Sequence, residues 1–219
     1  LTSFVLKVYA NKNNDLSILE KEGYKEHSLA RSINWVLNLP TLPKLFFHRW
    51  AFFDYITRNS KVERPFYEYG VWRGTAFKYL IKTFKKGFGF DTFSGLPETW
   101  HHEEQGRYNS FGSVPKIDGG EFIVGKFADT LPNFFSIKRE LASVINFDAD
   151  LYSSTLCALK NAKDVIDRDT ILIFDEFLMN DKWEQDEFKA FNEFCKENNF
   201  SYEVVAVSFY TKQVALKIK

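Results

Sequence analysis

The chain has 219 residues, 29 Lys plus Arg against 29 Asp plus Glu, 24 Phe, 10 Tyr and 5 Trp, but only 11 Gly and 6 Pro. So many large apolar groups and so few breakers exclude a collagenous, low-complexity or disordered chain, and the length suits one domain with a sizeable core. The balanced charge supplies no overall field toward nucleic acid or an anionic membrane, and no apolar run approaches the roughly 18 residues of a membrane helix.

Taken from the start, Leu1-Thr2-Ser3-Phe4 has neither an initiating Met nor the basic-then-apolar layout of a secretion signal, which leaves the true N-terminus open. Apolar positions Ile33, Val36, Leu37 and Leu39 have helical spacing up to the break at Pro40 and Pro43. The run from Leu45 to Phe53, with His48-Arg49-Trp50 inside it, is too aromatic for a simple amphipathic stripe. It reads as a buried helix rather than as a substrate wall. Residues 1–60 are therefore expected as a helical cap, and residues 61–219 as the main domain. The aromatic excess of residues 45–55 would also suit a homodimer interface.

From residue 65 the pattern alternates. Strands are expected at 65–69, 87–91, 121–124, 144–147 and 170–174, with helices at 75–84, 153–165 and 182–198. A loop from Thr92 to about Gly120 holds His101-His102-Glu103-Glu104. Adjacent side chains point apart and make poor joint metal ligands, so its length suggests a lid. The last two strands, 202–207 and 213–218, are a hairpin's distance apart and therefore antiparallel. The order describes an open α/β sheet, mostly parallel, with an antiparallel C-terminal hairpin. Cys157 and Cys195 form no CxxC pair and read as reduced, packed thiols, as in a cytoplasmic protein.

In such a sheet a ligand sits beyond the carboxyl ends of the strands. Four strands end there in acids: Glu68, Asp91, Asp148 with Asp150, and Asp175 with Glu176. Helix capping accounts for any one of these but poorly for all of them. The turn Gly70-Val71-Trp72-Arg73-Gly74-Thr75 is not a GxGxxG fingerprint, because Trp72 would crowd a pyrophosphate. Asp91, at the end of the next strand, stands where an acid hydrogen-bonds a ribose diol.

These residues resemble the macrocin O-methyltransferase family. The likeness runs in order through Tyr67-Glu68-Tyr69-Gly70-Val71-Trp72-Arg73-Gly74-Thr75, Phe90-Asp91-Thr92-Phe93-Ser94-Gly95-Leu96-Pro97-Glu98 and Thr130-Leu131-Pro132. It continues through Asp148-Ala149-Asp150-Leu151-Tyr152-Ser153-Ser154-Thr155, Phe174-Asp175-Glu176-Phe177 and Gln213-Val214-Ala215. The resemblance implies a Rossmann-like class I methyltransferase fold with a seven-stranded sheet. It also implies S-adenosylmethionine as methyl donor, a sugar-like hydroxyl as acceptor, and typically a magnesium ion. By the same resemblance Glu68, Gly70 and Gly74 would cradle the amino-acid and sulfonium part of the donor, with Val71, Trp72, Arg73 and Thr75 also contacting the donor. Asp91, Thr92 and Phe93 would meet its ribose, and Lys126 and Phe127 its adenine. Asp148, Asp175 and Glu176 would ligate the metal, and Asp150 would be the general base.

The family usually has Asp-Asp-Tyr where this chain has Asp175-Glu176-Phe177. That departure moves one donor oxygen and removes a hydroxyl, which puts metal dependence in doubt. A nicotinamide-dependent oxidoreductase, disfavoured by the missing fingerprint, and a non-catalytic binding module of the same fold are the alternatives.

Overall fold

The protein is described by a computed structural model covering residues 23 and 25–219, so most of the N-terminal half of the expected cap lies outside the described residues. The helices are α1 (Ser28–Leu37), α2 (Arg49–Arg58), α3 (Thr75–Phe84), α4 (Phe127–Phe134), α5 (Tyr152–Ala162) and α6 (Glu187–Glu197). The strands are β1 (Lys44–Phe46), β2 (Phe66–Tyr69), β3 (Gly87–Asp91), β4 (Gly120–Val124), β5 (Val144–Phe147), β6 (Ile171–Phe174), β7 (Tyr202–Ser208) and β8 (Gln213–Ile218). They form one sheet in the order β1-β7-β8-β6-β5-β2-β3-β4. Only β8 runs antiparallel to its neighbours, β6 and β7.

The sheet has eight strands, one more than expected. Residues 45–53 do not form a single helix: Lys44–Phe46 pairs in parallel with Ala206–Ser208 of β7, and the helix starts only at Arg49. Three residues are too few for a period, and Leu and Phe serve either element. Helix α4 was not expected either, since Pro132 interrupts its short pattern.

Alternation along the strands sorts the core into two layers. Phe66, Val144, Ile171, Ile173, Ala206 and Ala215 face α2 and α3, where Phe52, Phe53, Phe77 and Leu80 are buried. Tyr67, Tyr69, Phe90, Phe147, Leu172 and Phe174 face the other way, toward α4, α5 and α6. The aromatic run at 45–55 therefore spends Phe52 and Phe53 inside the fold, leaving Leu45 and Phe47 about half exposed. On the second face, Phe90, Tyr69, Phe147 and Phe174 form a row across four neighbouring strands. Their ring centroids are 4.8, 5.3 and 4.7 Å apart and their planes are within 15°. Each ring pair adds about 0.5–1.5 kcal/mol beyond its burial, and a one-residue slip would turn every ring to the wrong layer. The row thus locks the register of the residues that follow it.

Candidate active site

That register builds the site. One residue past the aromatic row lie Asp91, Gly70, Asp148 and Asp175, adjacent because Phe90, Tyr69, Phe147 and Phe174 are paired partners. Backbone bonds continue the ladder into this row: Gly70 donates to the Phe90 carbonyl at 2.9 Å, Asp148 to Tyr69 at 2.8 Å and Asp175 to Phe147 at 2.9 Å. Period-two alternation puts the row on the α2 and α3 face, the same face as Glu68 and its cross-strand partner Asn146.

These residues surround a cavity of about 590 Å³, within the range of small-molecule sites. Glu68, Gly70, Val71, Trp72, Thr75, Asp91, Thr92, Lys126 and Phe127 line it together with Asp148, Asp150, Asp175 and Glu176. Three of the expected residues stand back from it. Arg73 lays its guanidinium over the Trp72 ring, 4.7 Å from the centroid. Gly74, at φ +72°, precedes α3 and packs near Pro115. Phe93 is fully buried, edge-on to Phe122.

Asp91 organises the β2–α3 turn. Its Oδ2 accepts from the amides of Val71 and Trp72, both at 2.7 Å, and its Oδ1 accepts from Phe93 at 2.6 Å. These bonds hold Trp72 and Phe93 in the left-handed region, at φ +48° and +55°, and Asp150 is left-handed as well, at φ +60°. Such strain in non-glycine residues gathers at functional sites. Trp72 and Asp150 line the cavity.

The electrostatics are lopsided. Glu68 is buried, and its Oε1 accepts from Asn146 at 3.2 Å while Oε2 has no partner. Burial pushes its carboxyl well above the usual carboxylate range, with the Asn146 bond opposing the shift. Asp148 and Asp150 are raised by burial first and then by neighbouring acids, Asp175 foremost for Asp148 and Glu176 for Asp150. Among the described residues no side chain hydrogen-bonds either carboxylate. Asp175 is also raised by burial, against the pull of Arg49. Behind them Glu187, fully buried on α6, accepts from the Glu176 amide at 3.1 Å.

This crowding has a consequence for stability. A carboxyl whose folded pKa lies above its unfolded value binds extra protons in the folded state, so stability falls as pH rises from the unfolded to the folded pKa. Asparagine mimics the neutral form. Asp148→Asn is therefore expected to stabilise the protein by about 1–2 kcal/mol at pH 8 and to gain little at pH 4, read as melting temperature against pH. An equal effect at both values would contradict the assigned burial of charge.

Several lining residues were not expected. Arg49, read as part of a buried helix, starts α2 on the site's face of the sheet and lines the cavity. Its Nη2 donates to both Asp175 oxygens, at 3.0 and 2.9 Å. The Gln213 amide also donates to Asp175. Lys212, in the β7–β8 turn, lies 2.9 Å from Glu176 Oε2. A lone cation inside an aromatic run was the signal available for Arg49; nothing local marked Lys212 or Glu187. Of the long loop, Gly95, Leu96, Pro97 and Tyr108 reach the cavity, while His101 pairs with Asp186 at 2.7 Å and His102 is exposed. Cys157 lines the cavity, and both cysteines are free. Phe177 does not face the cavity: its ring is fully buried among Trp35, Phe174 and Phe188.

No family model and no curated protein sequence matches the chain. Solved structures do. The calicheamicin methyltransferase CalS11 superposes with a TM-score of 0.59 at 19% identity, covering 90% of this chain and 93% of that one. The O-methyltransferase NovP gives 0.56 at 21%, covering 77% and 76%. An O-methyltransferase from Bacillus cereus, solved with SAH, gives 0.50 at 14%, covering 98% and 96%. The chain has the Rossmann-like fold of class I S-adenosylmethionine-dependent methyltransferases. Among the described residues no helix is long and apolar enough to cross a membrane.

Proposed function

We propose that the protein is an S-adenosylmethionine-dependent O-methyltransferase acting on a hydroxyl of a sugar or sugar-like small molecule. The observation that carries this reading is the cavity at the carboxyl edge. In it the buried, half-satisfied Glu68 and the Gly70–Asp91 turn face two uncommitted carboxylates, Asp148 and Asp150. The donor fits these residues. Glu68 Oε2 lacks a partner and suits an ammonium group, and the excess of acids suits a sulfonium cation. Asp91, with Thr92, would meet the ribose, and Lys126 and Phe127 would flank the adenine.

S-adenosylmethionine supplies an electrophilic methyl group. The protein's residues do the rest. Asp150 would accept the proton of the acceptor hydroxyl as that oxygen bonds the methyl carbon and the carbon–sulfur bond of the donor breaks, releasing S-adenosylhomocysteine, and the walls would hold the two reactants in line. Trp72 and Tyr108, 5.9 Å apart and edge to face, offer apolar faces to a sugar ring. CalS11 is described as a TDP-rhamnose 3'-O-methyltransferase, which supports a deoxysugar acceptor. The free thiols favour a cytoplasmic setting.

The magnesium ion implied by the family resemblance does not fit the arrangement present. Two of its three expected ligands, Asp175 and Glu176, already hold Arg49 and Lys212. Among the described residues no group of three or more His, Cys, Asp or Glu side chains could hold a metal. The functional reading is tested by transfer of labelled methyl from S-adenosylmethionine to a panel of free and nucleotide-linked sugars. Label in an acceptor is expected; cofactor binding without transfer to any hydroxylated compound would favour a binding module instead.

A further inference from the structure

The misfit for magnesium is itself informative, because what stands in its place is a side chain. Arg49 reaches Asp175 from the first turn of α2, across the face of the sheet that carries the acid row. Asp175 is almost fully buried, and both its oxygens are engaged by one guanidinium nitrogen, with Gln213 adding a further donor. Magnesium requires near-octahedral oxygens at about 2.0–2.1 Å, and three hydrogen bonds leave Asp175 a single unclaimed lone-pair position, on Oδ2 and beside a fixed positive charge, to offer such a shell. Glu176 is held through one oxygen only. Its Oε2 takes Lys212 Nζ at 2.9 Å and Asn180 Nδ2 at 2.8 Å, while Lys212 also donates to Asn180 Oδ1 at 2.7 Å.

Arg49 is not spent on this pair. Its side chain is 32% exposed and borders the cavity, and among the described residues its Nε and Nη1 donate to nothing. A guanidinium keeps its charge and presents donors in a fixed plane.

We infer that Arg49 is the built-in cation of this site and makes it independent of a divalent metal. Resting on the methyltransferase reading, the inference gives Arg49 a role on the acceptor: its free N–H groups donate to the hydroxyl oxygen and offset the negative charge that develops there as Asp150 takes the proton. A fixed single charge polarises the hydroxyl less than a metal ion does. More of the proton transfer then falls to Asp150, whose uncommitted carboxylate suits that work.

The test is metal binding, which needs no acceptor. Manganese is titrated into the full chain, free and with S-adenosylhomocysteine bound, and followed by the electron paramagnetic signal of the free ion. The wild type is expected to bind it only in the millimolar range or more weakly. Arg49→Ala, which leaves the acid row without its cation, is expected to bind it about tenfold more tightly or better. Stoichiometric micromolar binding by the wild type, lost in Asp175→Asn, would overturn the inference, as would an unchanged affinity in folded Arg49→Ala. The wild-type titration decides the matter even if that variant does not fold. Failure to bind S-adenosylhomocysteine at all would instead refute the methyltransferase reading, so the two failures are distinguishable.

Discussion

Asp150→Asn lowers methyl transfer by about 10²–10⁴-fold and leaves S-adenosylhomocysteine affinity unchanged. The substitution separates chemistry from folding unusually well. Asp150 sits at φ +60°, a region that asparagine tolerates as well as aspartate does. Its carboxylate bonds no side chain among the described residues, so no structural hydrogen bond is lost. What disappears is the ability to accept a proton. Because burial and the charge of Glu176 hold the Asp150 carboxyl well above its ordinary value, the wild-type rate rises with pH through that elevated pKa as the base becomes ionised. The variant loses this limb along with the rate. Steady-state transfer to any accepted sugar, measured across pH, reads both effects, and full activity in the variant would remove Asp150 from the mechanism.

Gly70→Ala is expected to be as damaging to the fold as Asp150→Asn is to the chemistry. A Cβ at residue 70 would lie 1.8 Å from the Asp148 carbonyl oxygen, and the residue has φ +90°. The obstacle is the backbone of the neighbouring strand, which no rotamer change relieves. To admit the methyl group, β2 and β5 must part at the end where the acid row begins, and the left-handed backbone adds its own strain. The expected loss is about 4 kcal/mol or more, or about 8–16 °C in melting temperature for a domain of this size, with loss of S-adenosylhomocysteine binding. A melting temperature within about 2 °C of wild type would show that the close approach of the two strands is not as described.

Much of this architecture was legible in the sequence for a physical reason. Strands β2, β3, β5 and β6 are short apolar runs that stop abruptly at a Gly or an acid, and buried parallel strands in α/β folds are built that way. The same punctuation disclosed Glu68, Asp91, Asp148, Asp150 and Asp175, since an acid at a buried strand's end has few structural uses. β1 was illegible because Lys44–Phe46 earns its place through pairing with β7, a partner some 160 residues away. Helix α4 was hidden by Pro132. Arg49 and Lys212 reach the site from a helix start and a hairpin turn, and only the tertiary fold brings them to Asp175 and Glu176. Those two cations are what separate the expected magnesium site from the observed one.

Calorimetric titration with S-adenosylhomocysteine, in magnesium and again in a chelator, tests the central claim most directly. One-to-one binding at micromolar affinity or better, the same in both buffers, is the predicted result. Absence of binding in both would contradict the assignment of the cavity around Glu68, Gly70 and Asp91 to a methyl donor.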